Sequence, residues 1–355
     1  LQLCGAAGWL ADRYRADVVL AWGVALWSLA TLSTGVLSGF TLLFGARLLL
    51  GAGESVAYPC YSRIFASEIP AANRGLANAL IDAGSKVGPA LGTLFGGMLL
   101  ERVGWRMFFI VLGLASLAWL APFGRLVLRA KPGEPTPQQA PPAGPSPGTL
   151  EILGKRSAWG AFFGHFCGNY FWYFLLTWLP TYLVRERGFD LQQMVRFTTL
   201  SFFAIASATV LAGWTSDRLI LRGMTPTRVR KSVVVLGLSC TTVILPVAMV
   251  RDNRVALGLL LAACVSFGVY ASNHWAITQT LSGPLAAGRW TSLQNGVGNL
   301  AGVAASWITG VVSDRTHSFA LAFAVAGCVA LSGAAMWGLV VGRIEEVEWK
   351  GESRA

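Results

Sequence analysis

The feature that most constrains this chain is a series of long apolar runs. Ten runs, each of about 20 residues, follow one another along the 355 residues, and a helix needs about that length to cross a bilayer. Backbone groups in lipid must be satisfied within their own segment, so the series predicts an all-α polytopic membrane protein. The runs cover approximately residues 18–37, 39–62, 75–100, 105–128, 158–184, 191–214, 230–250, 255–280, 290–312 and 318–342.

Composition excludes most other classes. Only 13% of the residues are charged, whereas a soluble domain usually carries about 25%. The net charge of +11 comes from basic residues between apolar runs, the pattern of membrane loops, so we expect no nucleic-acid partner. The six cysteines form no CxxC pair, and no Walker motif or nucleophile–base set occurs. We therefore expect no metal, no cofactor, no ATP-driven pump and no enzyme.

A proline-rich segment divides the chain. Residues 131–148 read KPGEPTPQQAPPAGPSPG, a composition typical of an extended linker. Four runs precede it and six follow it, and the chain opens on an apolar stub without Met. We interpret the chain as a twelve-helix protein of two six-helix bundles, from which the first helix and part of the second are missing in this sequence. The predicted divisions are a truncated N-terminal transmembrane bundle over 1–128, a cytoplasmic linker over 129–156, a six-helix bundle over 157–343 and a cytoplasmic tail over 344–355.

Short motifs repeat inside the chain. GWLADR at 8–13 recurs as GWTSDR at 213–218 and, more weakly, as GVVSDR at 310–315. A second motif, PAANR at 70–74, recurs as PLAAGR at 284–289. Repeated halves that contain repeated units are typical of secondary transporters.

The distribution of Lys and Arg predicts the orientation. When the runs alternate across a membrane, eighteen of these residues fall on the side of Asp12 and eight on the other. The richer side is expected to be cytoplasmic. This predicts a multi-pass protein of the cell membrane with its linker and C-terminus in the cytoplasm.

Several motifs resemble those of a known family. GWLADRYR at 8–15 resembles the signature loop of the major facilitator superfamily, with its second basic position early by about one residue. RLLLGAGESVAYP at 47–59 looks like the fourth helix of the anion:cation symporter branch, which includes carriers of sugar acids, hexuronates, phthalate and sialic acid. GWRMF at 104–108, NYFWYFLLTWLPTY at 169–182 and NGVGNLAG at 295–302 also resemble that branch. One departure is the absent first helix, which carries an Asp-Arg pair in sugar-acid members.

The resemblance implies a fold of two six-helix bundles around a central cavity. It also implies secondary active transport, with proton-coupled symport of a small organic anion such as a sugar acid as the leading interpretation. The expected partners are that anion, protons and the lipid bilayer, and we expect a monomer. An exporter or antiporter of the same superfamily, a non-transporting substrate sensor and a membrane enzyme remain as alternatives.

Arg47 and Glu54 are the first candidate site residues. They lie seven positions apart on one predicted helix, so they share a face about 10 Å apart along the axis. A guanidinium matches a carboxylate in shape, and a glutamate between apolar helices suits a group that takes up one proton. The resemblance implies substrate binding for Arg47 and proton coupling for Glu54. The alternative is a structural charge pair.

A second charged pair and a set of polar residues lie within other runs. Asp82 and Lys86 are spaced i, i+4, which suits either a structural pair facing the cavity or a substrate-binding lysine. The other substrate-binding candidates could line a cavity or pack between helices. They are His165, Asn169, Tyr170, Trp275, Asn295 and Asn299.

The charged pairs of the repeated motif have a different expected role. Asp12, Arg13, Asp217 and Arg218 lie at helix ends on the predicted cytoplasmic side. Charges at helix ends can bridge neighbouring helices and hold one conformation closed. We therefore predict a gating role for these four residues.

Overall fold

The computed structural model describes residues 2–129 and 147–349. Most of the predicted linker and residues 350–355 of the predicted tail lie outside these ranges. The described residues form helices joined by short turns, and no strand occurs among them. The α-helices are α1 Gln2–Arg13, α2 Ala16–Val36, α3 Phe40–Glu54, α4 Ala57–Glu68, α5 Arg74–Arg129, α6 Thr149–Leu153, α7 Arg156–Arg185, α8 Leu191–Leu221, α9 Pro226–Cys240, α10 Asn253–Ala271, α11 His274–Thr316 and α12 Ala320–Ala335.

The ten predicted apolar runs fall mainly on these helices. The run at 230–250 continues into a 3₁₀ helix over Thr241–Ala248, and the run at 318–342 continues into a π-helix over Met336–Val340. Helix α5 holds two of the runs, which meet at Gly104, where φ is 74°. Helix α11 bends in the same way at Gly283, where φ is 59°. Positive φ is costly for residues with a Cβ atom, so glycine allows the chain to turn between consecutive helical pieces at both positions.

Seven segments of the described residues are long and apolar enough to cross a membrane. Helix α7 and the first part of α5 are not among them. The run in α7 includes the polar residues His165 and Asn169, and the run in α5 includes the charged residues Asp82 and Lys86. The segments are Ala16–Val36, Phe40–Glu68, Leu99–Arg125, Leu191–Leu221, Pro226–Ala248, Asn253–Thr316 and Ala320–Val340.

Local signals explain where several helices begin. Asp190 accepts a hydrogen bond from the backbone N–H of Gln193 at 2.8 Å, and the Gln193 side chain accepts one from the Asp190 backbone, which completes a capping box for α8. Thr225 caps α9, whose first residue is Pro226. These caps satisfy backbone donors that have no partner inside the helix.

Two helices join the parts of the chain on either side of residue 130. Helix α5 packs against α2 in its own half and against α8 in the other. Helix α11 packs against α7 in its own half and against α4 and α1 in the other. The two halves thus contact each other through equivalent pairs of helices, as the repeated motifs lead one to expect. The exact boundaries of the two predicted bundles stay a prediction.

The last described residues fold back on the helices. Within 341–349, the backbone N–H of Val347 donates to the carbonyl of Leu281 at 2.9 Å. The ring of Trp349 is buried and meets Trp290 edge to face, with ring centroids 6.1 Å apart. We call residues 341–349 the C-terminal strap, and it lies against the bend in α11.

Candidate functional site

A cavity of about 140 Å³ lies where α4, α5, α7, α10 and α11 meet. Its lining combines one cationic side chain, one carboxylate, two imidazoles, three amides and several aromatic rings. The lining residues are Tyr58, Asp82, Ser85, Lys86, His165, Asn169, Trp172, Tyr173, Phe267, Tyr270, Ala271, His274, Trp275, Asn295 and Asn299.

Lys86 and Asp82 form an ion pair in the wall of this cavity. The Lys86 ammonium lies 3.2 Å from Asp82 Oδ1 and donates to Ser85 Oγ at 3.0 Å. It also lies 4.4 Å from the centre of the Trp172 ring, within the range of a cation–π contact. Both charged residues are buried, at 6% and 4% exposure, and Asp82 Oδ2 has no hydrogen-bond partner among the described residues. A buried cation with an aromatic neighbour is suited to bind an anion that enters the cavity.

Two histidines lie together on the neighbouring wall. The rings of His165 and His274 stack with centroids 5.1 Å apart, and Trp275 lies 4.6 Å from His165. Asn169 Nδ2 lies 3.3 Å from His165 Nε2. A Cβ atom at Gly298 would collide with the His165 ring, so this glycine lets α11 approach α7 closely. Among the described residues, Nδ1 of His165 and Nε2 of His274 are buried without a hydrogen-bond partner in the protein.

The remaining polar lining comes from α7 and α11. The Tyr173 hydroxyl donates to Asn299 Oδ1 at 3.1 Å, and Asn295 lines the cavity one turn nearer the start of α11. Asn299 is exposed, whereas Asn295 is half-buried. The cavity therefore approaches solvent on the side of Asn299.

The opposite end of the helix array carries GWLADR, GWTSDR and both copies of the second motif, and we call it the signature end. There the Asp12 carboxylate accepts hydrogen bonds from the backbone N–H groups of Gly288 and Arg289, both at 2.9 Å. These two donors lie just after the bend in α11, where backbone N–H groups favour a negative charge. A Cβ atom at Gly288 would overlap the Asp12 carboxylate. The GWLADR motif at 8–13 in one half thus contacts the PLAAGR motif at 284–289 in the other half.

Asp217 makes the equivalent contact in the opposite direction. Its carboxylate accepts from the backbone N–H groups of Gly75 and Leu76 at 3.0 and 2.7 Å, at the start of α5. A Cβ atom at Gly75 would overlap this carboxylate as well. Arg230 lies 3.6 Å from Asp217. Both aspartates of the predicted gating set therefore join the two halves.

The arginines of the same motifs behave differently. Arg13 is exposed, and Arg218 is exposed with its guanidinium 4.9 Å from the centre of the Trp214 ring. Within residues 2–129 and 147–349, neither of these side chains hydrogen-bonds to the other half. Other arginines do bond across the halves, because the guanidinium groups of Arg63 and Arg230 donate to the carbonyl oxygens of Pro284 and Ala71.

Further contacts close the space between the cavity and the signature end. Tyr58 and Trp275 stack across the halves, with ring centroids 5.1 Å apart. The side-chain amides of Asn78 and Gln279 exchange two hydrogen bonds of 2.9 Å, and Gln279 also lies 3.3 Å from Ser62 Oγ. The structure is therefore closed toward the signature end and more open toward the other.

Arg47 and Glu54 lie outside the lining of the cavity. Both side chains are exposed on α3, and the Arg47 guanidinium lies 4.9 Å from the centre of the Phe109 ring. Glu54 interacts electrostatically with Arg47 and with Tyr173, which does line the cavity. The pair thus lies beside the more open side of the cavity, and its roles in binding and coupling stay predictions.

Tyr170 takes a different position from the one expected. It is buried in the helix core and is not part of the cavity lining. A helix turns about 100° per residue, so Tyr170 points about 140° away from His165, whereas Trp172 and Tyr173 return to the same face. The sequence analysis did not identify several lining residues. One of them, Trp172, lies on the same face of α7 as His165, so its spacing from His165 could have identified it. The residues not identified are Tyr58, Ser85, Trp172, Phe267 and Tyr270.

Comparison with known proteins gives consistent matches. The family model described as Major Facilitator Superfamily matches residues 5–306. The chain is 30% identical over 348 residues to "Probable anion transporter 4, chloroplastic" of rice, covering 92% of this chain and 57% of that protein. It is 28% identical to "Probable galactarate/D-glucarate transporter GarP" of Escherichia coli, covering 96% and 83%.

Solved structures share the fold. The E. coli fucose:proton symporter FucP superposes with a TM-score of 0.70 at 14% identity, covering 94% of this chain and 87% of that one. At that identity the likeness shows the fold and no more. The chain spans less than two thirds of the rice relative's length and more than four fifths of GarP.

Proposed function

This chain belongs to the major facilitator superfamily, and we propose that it moves a small organic anion across a membrane, as a proton-coupled symporter of a sugar-acid type of substrate. Membership of a family of transporters, with a fold that such proteins share, confirms a multi-pass membrane protein that is not an enzyme. Relatives named as anion and galactarate/D-glucarate transporters support the anionic substrate.

The observation that carries the proposal is the buried Lys86 ammonium in a cavity shared by the two halves. Buried charges are expensive, and within membrane helices they commonly mark a substrate or ion pathway. The lining amides and rings provide hydrogen bonds and apolar contact for the rest of a small polar ligand.

The closure at one end supports an alternating-access mechanism. Asp12 and Asp217 hold the two halves together at the signature end, while the cavity approaches solvent on the side of Asn299. Breaking these contacts and forming others at the opposite end would expose the cavity to the second side of the membrane. The excess of basic residues supports a cytoplasmic location for the signature end.

Arg47 and Glu54 supply the proposed coupling step. Their position beside Tyr173 lets Arg47 attract an anion at the open side and lets Glu54 take up the accompanying proton. One proton that moves inward with a monoanion carries no net charge, so the pH gradient, and not the membrane potential, drives this step. A difference of one pH unit is worth about 1.4 kcal/mol and supports roughly tenfold accumulation of the co-transported anion.

Transport by reconstituted protein tests the proposal. Purified protein in proteoliposomes is offered labelled D-gluconate, D-glucarate, galactarate and fucose, with an inward proton gradient. We expect uphill uptake of at least one acid, no uptake of the neutral sugar, and loss of accumulation with a protonophore. Asp314→Asn, an exposed change far from the cavity, is the matched control. Uptake of no anion would refute anion transport, and accumulation that survives the protonophore would refute proton coupling alone.

A further inference from the structure

The C-terminal strap crosses the signature end of the second half and is held there at several points. The Lys231 ammonium of α9 donates to the carbonyl of Val341 at 2.6 Å. The Lys155 ammonium, one residue before α7, donates to the carbonyl of Glu348 at 2.7 Å. The strap is therefore fixed to α9 at one end and to the start of α7 at the other, and between these points it reaches the bend of α11.

The bend in α11 leaves carbonyl groups that the helix itself cannot use. Pro284 has no N–H group, and the turn before it interrupts the helix, so carbonyls of the preceding turn lose their intrahelical partners. The backbone N–H of Val347 donates to the carbonyl of Leu281 at 2.9 Å. The indole N–H of Trp349 donates to the carbonyl of Ser282 at 3.3 Å. The strap thus supplies two of the missing donors and stabilises the bent shape.

The same bend is the surface on which the first half docks. The Arg74 guanidinium of α5 donates across the halves to the carbonyl of Gln279 at 3.4 Å, about one turn before the bend. The Arg63 guanidinium of α4 donates to the carbonyl of Pro284, just after it. Asp12 accepts its two N–H bonds about one turn further on. The alignment of these groups with the first half therefore depends on the shape of the bend.

Glu346 connects the strap to the first half. Its carboxylate lies against Gly283, where a Cβ atom would overlap it. Burial lowers the pKa of the Arg74 guanidinium, and the negative charge of Glu346 opposes that effect. Arg74 is held at the end of α4, where it donates to the carbonyls of Ala66 at 2.8 Å and Ile69 at 3.0 Å. Glu346 thus attracts a buried cation of the opposite half toward the bend.

We propose that the C-terminal strap is a latch for the closed signature end, with Trp349 and Glu346 as its positioning residues. The strap fixes the bend in the shape that receives the first half, and Glu346 directs Arg74 onto the bend. Release of the strap loosens both sets of contacts, so a larger fraction of molecules opens at this end. The inference rests on the alternating access of the proposed function and is independent of which substrate is carried.

The reaction rate of a buried thiol measures how often the signature end opens. Ser62→Cys places a thiol between the halves, in purified protein without other reactive cysteines, because Ser62 is 1% exposed and lies 3.3 Å from the Gln279 amide. When opening and closing are fast compared with the reaction, the rate with a small maleimide is proportional to the open fraction.

Two strap variants should speed this reaction. Trp349→Phe keeps an aromatic ring but loses the indole N–H, so we expect labelling about two- to tenfold faster than in the parent. Glu346→Gln keeps the size of the side chain but loses its charge. We expect it to label about two- to fivefold faster, since a partly exposed charge pair contributes less than a buried hydrogen bond.

Matched variants separate the latch from a general loss of stability. Glu345→Gln removes the same charge from the neighbouring, exposed position and should label at the parent rate. Val234→Ala opens a cavity in the buried core of the second half and should lower the melting temperature without faster labelling. Parent rates in both Trp349→Phe and Glu346→Gln, or equal acceleration by Val234→Ala, would overturn the latch and leave alternating access standing. If Ser62→Cys reacts in none of these proteins, the signature end does not open, and alternating access is overturned together with the latch.

Discussion

The two aspartates at the signature end offer the sharpest test of the closed state. Asp12→Asn or Asp217→Asn keeps the size of the side chain but replaces one acceptor oxygen with an NH₂ group. In each case the carboxylate accepts two backbone N–H bonds from the opposite half. The substitution therefore removes one hydrogen bond, places a donor against a donor, and deletes the negative charge at a helix start.

The magnitude follows from these contacts. A hydrogen bond to a charged group contributes about 1.5–3 kcal/mol, so each variant should weaken closure by about 2 kcal/mol. That loss changes the ratio of closed to open molecules by roughly thirty-fold. If about 99% of the parent is closed, about three quarters of the variant would remain closed.

A distance measurement between the halves reports this shift. Spin labels are attached at Tyr14→Cys and Arg222→Cys, both exposed at the signature end in opposite halves, in a background without other reactive cysteines. Pulsed electron resonance should show a second, longer distance in Asp12→Asn and Asp217→Asn. Asp314→Asn is the matched control, because this residue lies in the third copy of the motif and is exposed. Distance distributions identical in all four proteins would refute the proposed bridge.

Other predictions address coupling, recognition, topology and stability. Glu54→Gln should abolish proton-driven accumulation while exchange of substrate continues; an unchanged response to the proton gradient would exclude it as the coupling group. Arg47→Lys should weaken anion binding about tenfold by calorimetry, since one charged hydrogen bond contributes about 1.5–3 kcal/mol; parent-like affinity would place anion capture elsewhere. An impermeant thiol reagent should label Arg251→Cys but not Arg222→Cys in intact cells, and the opposite pattern would invert the predicted orientation. Trp349→Ala should destabilise the protein by about 3 kcal/mol in chemical unfolding, because a buried ring is removed from the C-terminal strap; an unchanged midpoint would show that the strap does not contribute.

The sequence determined the helices well because their signals are local. Apolar runs of spanning length, with glycine between consecutive runs, are set by residues close together in the chain, and every predicted run lies on a helix. The same local reasoning marked Lys86 and His165 as ionisable residues within spans. Local reasoning could not decide which of Lys86, His165 and Arg47 lines the cavity, because the side of a helix that faces a cavity depends on which helices pack around it.

The contacts between the halves were decided by tertiary structure. Sequence comparison within the chain found both repeated motifs, yet it gave no sign that Asp12 binds the motif 276 positions away at Gly288. Such a contact depends on how the two halves close on each other, and helical periodicity carries no information about that distance. The sequence by itself therefore determined that this is a helical membrane protein with repeated halves. The cavity around Lys86, its ion pair with Asp82 set against Trp172, and the closed signature end exist only once helices distant in the chain are packed together.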